Sequence, residues 1–297
     1  MNLVALLAAT LVTATPLLYA AIGEVITERA GVLNLGIEGT MYAGAFVGFL
    51  VAFRSGSPWV GLAAAISTGA VAGLLMAFLT VTLGVNQHVS GIGTTLLLIG
   101  ASEFTNRLLF GSGTLQQIHK FSLLFKGVPG LEMYLLTFLG FAVVAPLTWW
   151  GLRPPGAGLR VRAGGETPEA ADAAGINVAR TRYAALVVGG MLMAVGGAFL
   201  TLAVLGTFTL NITNGRGWVA IALVIFARWL IWPAVAGALL FAVVDAGQLQ
   251  LAITPAFAHV PRELLIALPY LVVIGALALA GRGLRYPGAY LKPYRRT

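Results

Sequence analysis

Long apolar runs, broken at intervals by small clusters of charge, dominate the hydrophobic pattern of this chain. A bilayer core needs about 20 consecutive apolar residues per helix. Residues 3–23 carry no charge and predict a first span. A second runs over about 32–53, interrupted by Glu38. Residues 55–102 hold no Asp, Glu, Lys or Arg, which is room for two crossings. The polar knot Gly84-Val85-Asn86-Gln87-His88 divides them into spans at 59–83 and 89–110. Further spans fall at 133–152 and 183–206, and a last one at 264–281. Between them the pattern is irregular. Residues 217–227 and 229–252 are interrupted by Arg228 and Asp245, and read as short or broken helices. The expectation is an all-α polytopic transmembrane helical bundle of about nine spans, within eight to ten, some broken or short.

Composition agrees with the pattern. Of 297 residues, 59% are hydrophobic and 9% are charged, against about 25% charged in a soluble domain. The apolar surface is too large to hide in a water-soluble core. A soluble enzyme, a secreted scaffold and a disordered chain are excluded. The whole chain, 1–297, reads as one membrane domain.

Charge sets an orientation. Arg153, Arg160, Arg162, Arg180 and Arg182 lie in the loop 153–182. Arg282, Arg285, Lys292, Arg295 and Arg296 lie in the tail 282–297. Together these are more than half of the 18 basic residues. The positive-inside rule puts both segments in the cytoplasm. An odd number of crossings before residue 153 then places the N-terminus outside. The net charge of +8 is explained this way without invoking nucleic acid. Residues 1–21 lack the basic start of a signal peptide and read as a retained helix.

Much chemistry is missing. There is no cysteine, hence no disulfide and no thiolate metal site. Lys120, Lys126 and Lys292 are not followed by Ser or Thr, so no P-loop exists. His88, His119 and His259 have no metal-ligand spacing. No Gly-x-Ser-x-Gly elbow occurs. No catalytic residue, metal site or cofactor of its own is expected.

Other features point to function. In the loop 153–182, Thr167 is placed to cap a helix, Pro168 suits its first position, and Glu169 complements the dipole. Gly175 suits the left-handed residue past its end. A helix of two turns is marginal alone, so it either docks on a partner or remains a solvated loop. Asn34 and Glu38 fall inside the second span, where a charge costs about 2.5–3.5 kcal/mol on insertion scales. They are either pathway residues or structural ones. Asn86, Gln87 and His88 either line a path or form a surface turn. Glu103 and Arg107, four apart with the acid first, are expected to pair structurally. Gly44-x-x-x-Gly48 and Gly69-x-x-x-Gly73 predict close helix packing. Trp149 and Trp150 read as interface anchors.

Three stretches carry a family resemblance. Glu28-Arg-Ala-Gly-Val-Leu-Asn-Leu-Gly-Ile-Glu38-Gly39 resembles a signature of nucleoside and simple-sugar ABC transporter permeases. These lie within the branched-chain amino acid and ribose permease family. Arg162 to Asn177 resembles that family's cytoplasmic coupling segment, and Gly215 to Trp229, continued by Ala238 to Gln250, resembles a third motif. The resemblance spans about residues 15–280 and is nearest to the basic-membrane-protein-type subgroup.

It implies a type II ABC importer-like fold and a non-catalytic permease subunit. It implies a purine nucleoside or simple sugar as substrate, with riboflavin-like compounds behind. It also implies a second permease forming a heterodimer, a tandem-cassette ATPase that binds ATP and Mg, and an external substrate-binding lipoprotein. The location would be the bacterial cytoplasmic membrane. By the resemblance, Glu166, Thr167, Pro168, Glu169, Asp172, Gly175 and Asn177 would form the coupling element. Asn34, Glu38, Asn86, Gln87 and His88 are the pathway candidates. The competing reading is a stand-alone secondary transporter or channel, with Glu38, Glu103 and Asp245 as coupling carboxylates.

Overall fold

The structure, a computed structural model, describes residues 3–111, 116–124, 132–153, 156–252, 259–280 and 285–294. Arg282, Arg295 and Arg296 of the basic tail lie outside these. Helix α1 runs Leu3–Arg29, α2 Ile37–Ser55, α3 Pro58–Ala77 and α4 Gln87–Phe110. Helix α5, Leu135–Leu139, and α6, Ala145–Gly151, are joined by a π-helical turn over Gly140–Val144. Two short helices follow, α7 at Ala157–Glu166 and α8 at Pro168–Ala173. Helix α9 runs Val178–Phe199, α10 Arg216–Phe226, α11 Ile231–Ala252 and α12 Arg262–Ala280. π-Helical turns extend α3 through Phe78–Thr82 and α9 through Leu200–Leu205. A two-residue antiparallel pair, β1 at Leu123–Leu124 with β2 at Met133–Tyr134, is the one sheet among the described residues.

Four helical stretches are long and apolar enough to cross a membrane: Leu6–Arg29, Pro58–Thr82, Val178–Leu205 and Ile231–Gln248. Shorter apolar helices occupy Leu135–Gly151, Arg216–Phe226 and Glu263–Ala278. Helix α4 explains why such a surface belongs in lipid. It turns Gln87, Ser90, Gly91, Thr94, Thr95 and Ser102 inward. It turns Val89, Ile92, Leu96, Leu97, Phe104 and Leu108 outward. That is the reverse of a water-soluble helix and puts the apolar stripe where only hydrocarbon or another apolar chain is a good solvent.

Helix α9 is central and packs on α1, α2 and α3. Helix α1 also meets α10 and α11, and α4 lies against α2. Close approach is bought with small residues. A β-carbon on Gly69 would overlap the Gly190 carbonyl, and one on Gly197 would overlap that of Met41. The Gly69–Gly73 pair faces α9, as a small-x-x-x-small surface should.

Three boundaries differ from the sequence reading, each for a local reason. The first helix does not stop at residue 23 but continues to Arg29, carrying Glu24 and Glu28 into the interior. The second begins at Ile37 rather than near residue 32, because the chain turns at Gly31 with φ +87° and stays irregular to Gly36. The sixth begins at Val178, so Arg182 is a helix residue and not a loop residue. The break at Arg228 is present as expected. The interruption expected at Asp245 is not: α11 runs unbroken through it to Ala252, because Arg216 pairs with the carboxylate. Arg228 and Trp229 are left-handed, at φ 52° and 59°, and separate α10 from α11.

Candidate coupling surface and the polar network behind it

One end of the bundle gathers the C-terminal end of α1, the N-terminal end of α9, helices α7 and α8, and residues 285–294. Gly165 of α7 lies so close to Arg29 that a β-carbon would overlap the Arg29 carbonyl. The Ala289 amide donates to the Gly165 carbonyl at 2.8 Å, and the Gly288 amide donates to Glu166 Oε2 at 3.0 Å. The Tyr294 hydroxyl donates to Asp172 Oδ2 at 3.1 Å. Arg182, 1% exposed, donates from Nε to the Ala30 carbonyl at 3.1 Å and from Nη1 to that of Lys292 at 3.2 Å. A cation there complements the carbonyl end of α1. The tail thus straps the short helices to the long ones.

Helix α8 forms where the capping pattern placed it. Pro168 is its first residue and Gly175 is left-handed at φ +84°. Thr167 occupies the N-cap, but its side chain makes no capping bond, because the backbone there is extended away from the ideal at φ −139° and ψ 79°. Its carbonyl accepts from Ala171 at 3.0 Å instead. Pro168 and Ala171 are buried, whereas Thr167, Glu169 and Gly175 are exposed. Asn177, also exposed, caps α9 by accepting from the Arg180 amide at 2.8 Å. The seven residues expected to couple thus lie on one segment running from the end of α7 through α8 to the N-cap of α9, with Glu169 outward and Glu166 and Asp172 turned to the tail.

The pathway candidates divide. Asn34 is 2% exposed; its amide donates to Glu24 Oε1 at 2.8 Å and its Oδ1 accepts from the Gly36 amide at 3.0 Å. Gln87 accepts from the Leu33 amide at 2.8 Å and donates to the Gly31 carbonyl at 3.4 Å. Glu38 accepts from the Thr213 hydroxyl, from the Gly215 amide at 3.0 Å and from the Gly217 amide at 2.6 Å. It seats a carboxylate on the N-terminus of α10, where orphan amides and the dipole favour negative charge. Asn86 caps α4, accepting from the amides of His88 at 2.9 Å and Val89 at 3.3 Å. Asn86 and His88 are exposed.

Several partners were not legible in sequence. Trp229 Nε1 donates to Glu28 Oε2, and Arg29 Nε donates to the Trp229 carbonyl at 2.8 Å. Trp229 also packs at a tilt against Tyr286 and edge-on against Tyr290, at 5.1 and 6.2 Å between ring centroids. Burial and the neighbouring Glu28 carboxylate push the Tyr290 hydroxyl well above its ordinary range. Asp245 pairs with Arg216 at 3.8 Å and accepts from Gln248 at 2.7 Å. The expected Glu103–Arg107 pair is absent among the described residues. Glu103 accepts instead from the Tyr42 hydroxyl at 3.1 Å, a tertiary partner that local spacing does not reveal.

Residues 6–277 match the family model described as branched-chain amino acid transport system / permease component. The chain belongs to this permease family. It is 37% identical to a putative glucose ABC transporter permease protein of Haloferax volcanii, over 98% of this chain and 97% of the relative. It is 32% identical to the guanosine ABC transporter permease protein of Bacillus subtilis, over 92% and 90%. It is also 32% identical to the nucleoside ABC transporter permease protein of Lactococcus lactis, over 91% and 90%. No solved structure matches the chain significantly. This permease is a multi-pass membrane protein and the non-catalytic part of its transporter.

Proposed function

We propose that the chain forms one half of the pathway of an ATP-driven importer for a small polar solute, a purine nucleoside first and a simple sugar second. Similarity to permeases named for guanosine, nucleosides and glucose supports this substrate range. The observation that carries the mechanism is α8. Six residues cannot hold a helix in isolation. Here the helix is braced from behind by the tail, while Glu169 is left facing outward. Such an element is suited to being pushed by another protein.

That protein is a tandem-cassette ATPase, which binds ATP and Mg. A second permease completes the pathway, and an external lipoprotein delivers the solute. The loop 153–182 and the tail face the cytoplasm of a bacterial cell, with the N-terminus outside. Closure of the cassettes moves α8 and α7, and Gly165 and the tail pass the motion to α1 and α9. Alternating access then amounts to two states with different contacts at each face. Asn86 and His88 present polar surface to the pathway. Asn34, Glu38 and Gln87 hold the backbone turns behind it.

Uptake and ATP hydrolysis measured together in proteoliposomes of the whole complex test this. Glu169→Arg with Asp172→Arg is expected to cut uptake at least about tenfold while hydrolysis continues. Unchanged uptake would remove α8 from the coupling step. An ionophore is expected to leave wild-type uptake intact. Loss of uptake on collapsing the ion gradient would favour a secondary transporter.

A further inference from the structure

Beside the coupling element, and sharing Glu166 with it, lies a cleft whose arginines the transport reading leaves without a role. Its volume is about 450 Å³, within the roughly 300–1,000 Å³ of small-ligand sites. Arg29, Arg153, Arg162, Arg228 and Arg285 line it, with Glu166 as the single carboxylate among its described lining residues. Arg29 is half-buried and the other four are exposed. None of the five forms an ion pair among the described residues; the one such pair there is Arg216 with Asp245. Five guanidinium groups around one carboxylate make a locally positive surface that attracts anions.

The five come from four separate places: the end of α1, the segment after α6 together with α7, the left-handed turn before α11, and the tail. Two of them are fixed by aromatic or backbone contacts. Arg153 stacks on Trp149 with its guanidinium carbon 3.5 Å from the ring centre, and Arg29 is anchored on the Trp229 carbonyl. A held guanidinium loses less entropy on forming forked bonds to phosphate oxygens.

The other lining is apolar and aromatic. It includes Trp149, Trp229, Leu230 and Ile231; just outside the cleft Trp149 packs on Trp232 at 6.1 Å, and Trp150 and Trp232 are exposed. Clustered tryptophans of this kind mark the level where a bilayer meets water. Basic pockets between spans at that level suit anionic headgroups.

We propose that this cleft binds a phosphate-bearing anion, supplied by the headgroup of an acidic phospholipid. The bound phosphate would neutralise the arginines contributed by α1, α7, the 228 turn and the tail, and so hold the coupling element to the bundle. The inference goes beyond the transport reading and does not depend on which solute is carried.

The test uses the purified full-length chain, stripped of lipid in neutral detergent. Phosphatidylglycerol, phosphatidylcholine and inorganic phosphate are offered separately, and bound species are counted by native mass spectrometry. Arg153→Gln with Arg162→Gln is compared with Arg54→Gln with Arg107→Gln, which removes the same charge at the C-terminal ends of α2 and α4. Phosphatidylglycerol is expected to bind at least about tenfold more tightly than phosphatidylcholine, and the first double variant to lose that preference while the second keeps it. Binding of inorganic phosphate with the same dependence on Arg153 and Arg162 would assign the site to a free anion. Equal binding of the two lipids with no phosphate bound, or a preference that survives Arg153→Gln with Arg162→Gln, would overturn the proposal. Arginine modification by a dicarbonyl reagent gives a second readout on unmutated protein. Bound anion is expected to protect Arg153, Arg162 and Arg228 but not Arg54, and equal modification with and without anion would overturn it.

Discussion

Glu38→Ala is the sharpest test of how the broken α10 is held. The carboxylate is 4% exposed and receives three donors, from Thr213, Gly215 and Gly217. Two of them are backbone amides at the start of α10, which have no helical carbonyl to bond. Removing an acceptor from a buried donor costs about 1–3 kcal/mol, and bonds to a charged group lie toward the upper part. Interhelical bonds in membranes run lower, about 0.6 kcal/mol on average, because the unfolded helices find other partners. The two amides with no alternative, at about 1–3 kcal/mol each, therefore give about 2–6 kcal/mol for Glu38→Ala, while the Thr213 hydroxyl is free to turn to another acceptor. Glu38→Gln retains one oxygen and turns an amide toward one donor, so it is expected to cost about 1–3 kcal/mol. Thermal or denaturant unfolding of the detergent-purified chain reads both. A β-carbon on Gly217 would lie 2.7 Å from the Glu38 backbone and carboxylate, so Gly217→Ala should mimic part of the loss. An Ala variant within 1 kcal/mol of wild type would refute the view that this carboxylate seats α10.

Three further outcomes are expected. Trp229→Phe removes the donor to buried Glu28 and should cost about 1–3 kcal/mol in unfolding; adding Glu28→Gln should recover part of that, and additive losses would show the two do not interact. Gly197→Ala should separate α9 from α2 and cost about 1–3 kcal/mol, read as a lowered melting temperature; an unchanged melt would contradict the packing. Tyr290 has its hydroxyl raised by burial and by Glu28, so the folded chain keeps this proton when the unfolded chain loses it above about pH 10. Its contribution is complete below that pH and lost as pH rises further. Tyr290→Phe should therefore flatten the alkaline fall in stability, and an identical pH profile would count against this.

What the sequence reveals follows from the range of the forces involved. Lipid acts on each helix separately, so the apolar runs could be read one at a time, and so could the break at Arg228. Helix α8 was legible because capping is local: Pro168 and Gly175 act within a few residues. Tertiary partners were not legible. Glu24 and Glu28 look like a charged end to a span, yet Asn34 and Trp229 accommodate them inside. Arg182 looks like a loop cation, yet the carbonyl ends of α1 and the tail hold it. Glu103 has Arg107 one turn away and still bonds to Tyr42 across the α2–α4 contact. Each case joins residues more than 60 positions apart or across an irregular turn, where periodicity carries no information.

Contact between α8 and the ATPase is open to direct test, because the chain has no cysteine. A single Glu169→Cys, carrying a short photo-crosslinker, would be assembled into the whole transporter, with Arg54→Cys at the end of α2 as the comparison. Position 169 is expected to capture the cassette ATPase, with a yield that changes between ATP-bound and nucleotide-free states, and position 54 is not. Capture of the ATPase from position 54 and not from 169, or a chain that transports in liposomes with no ATPase present, would contradict it.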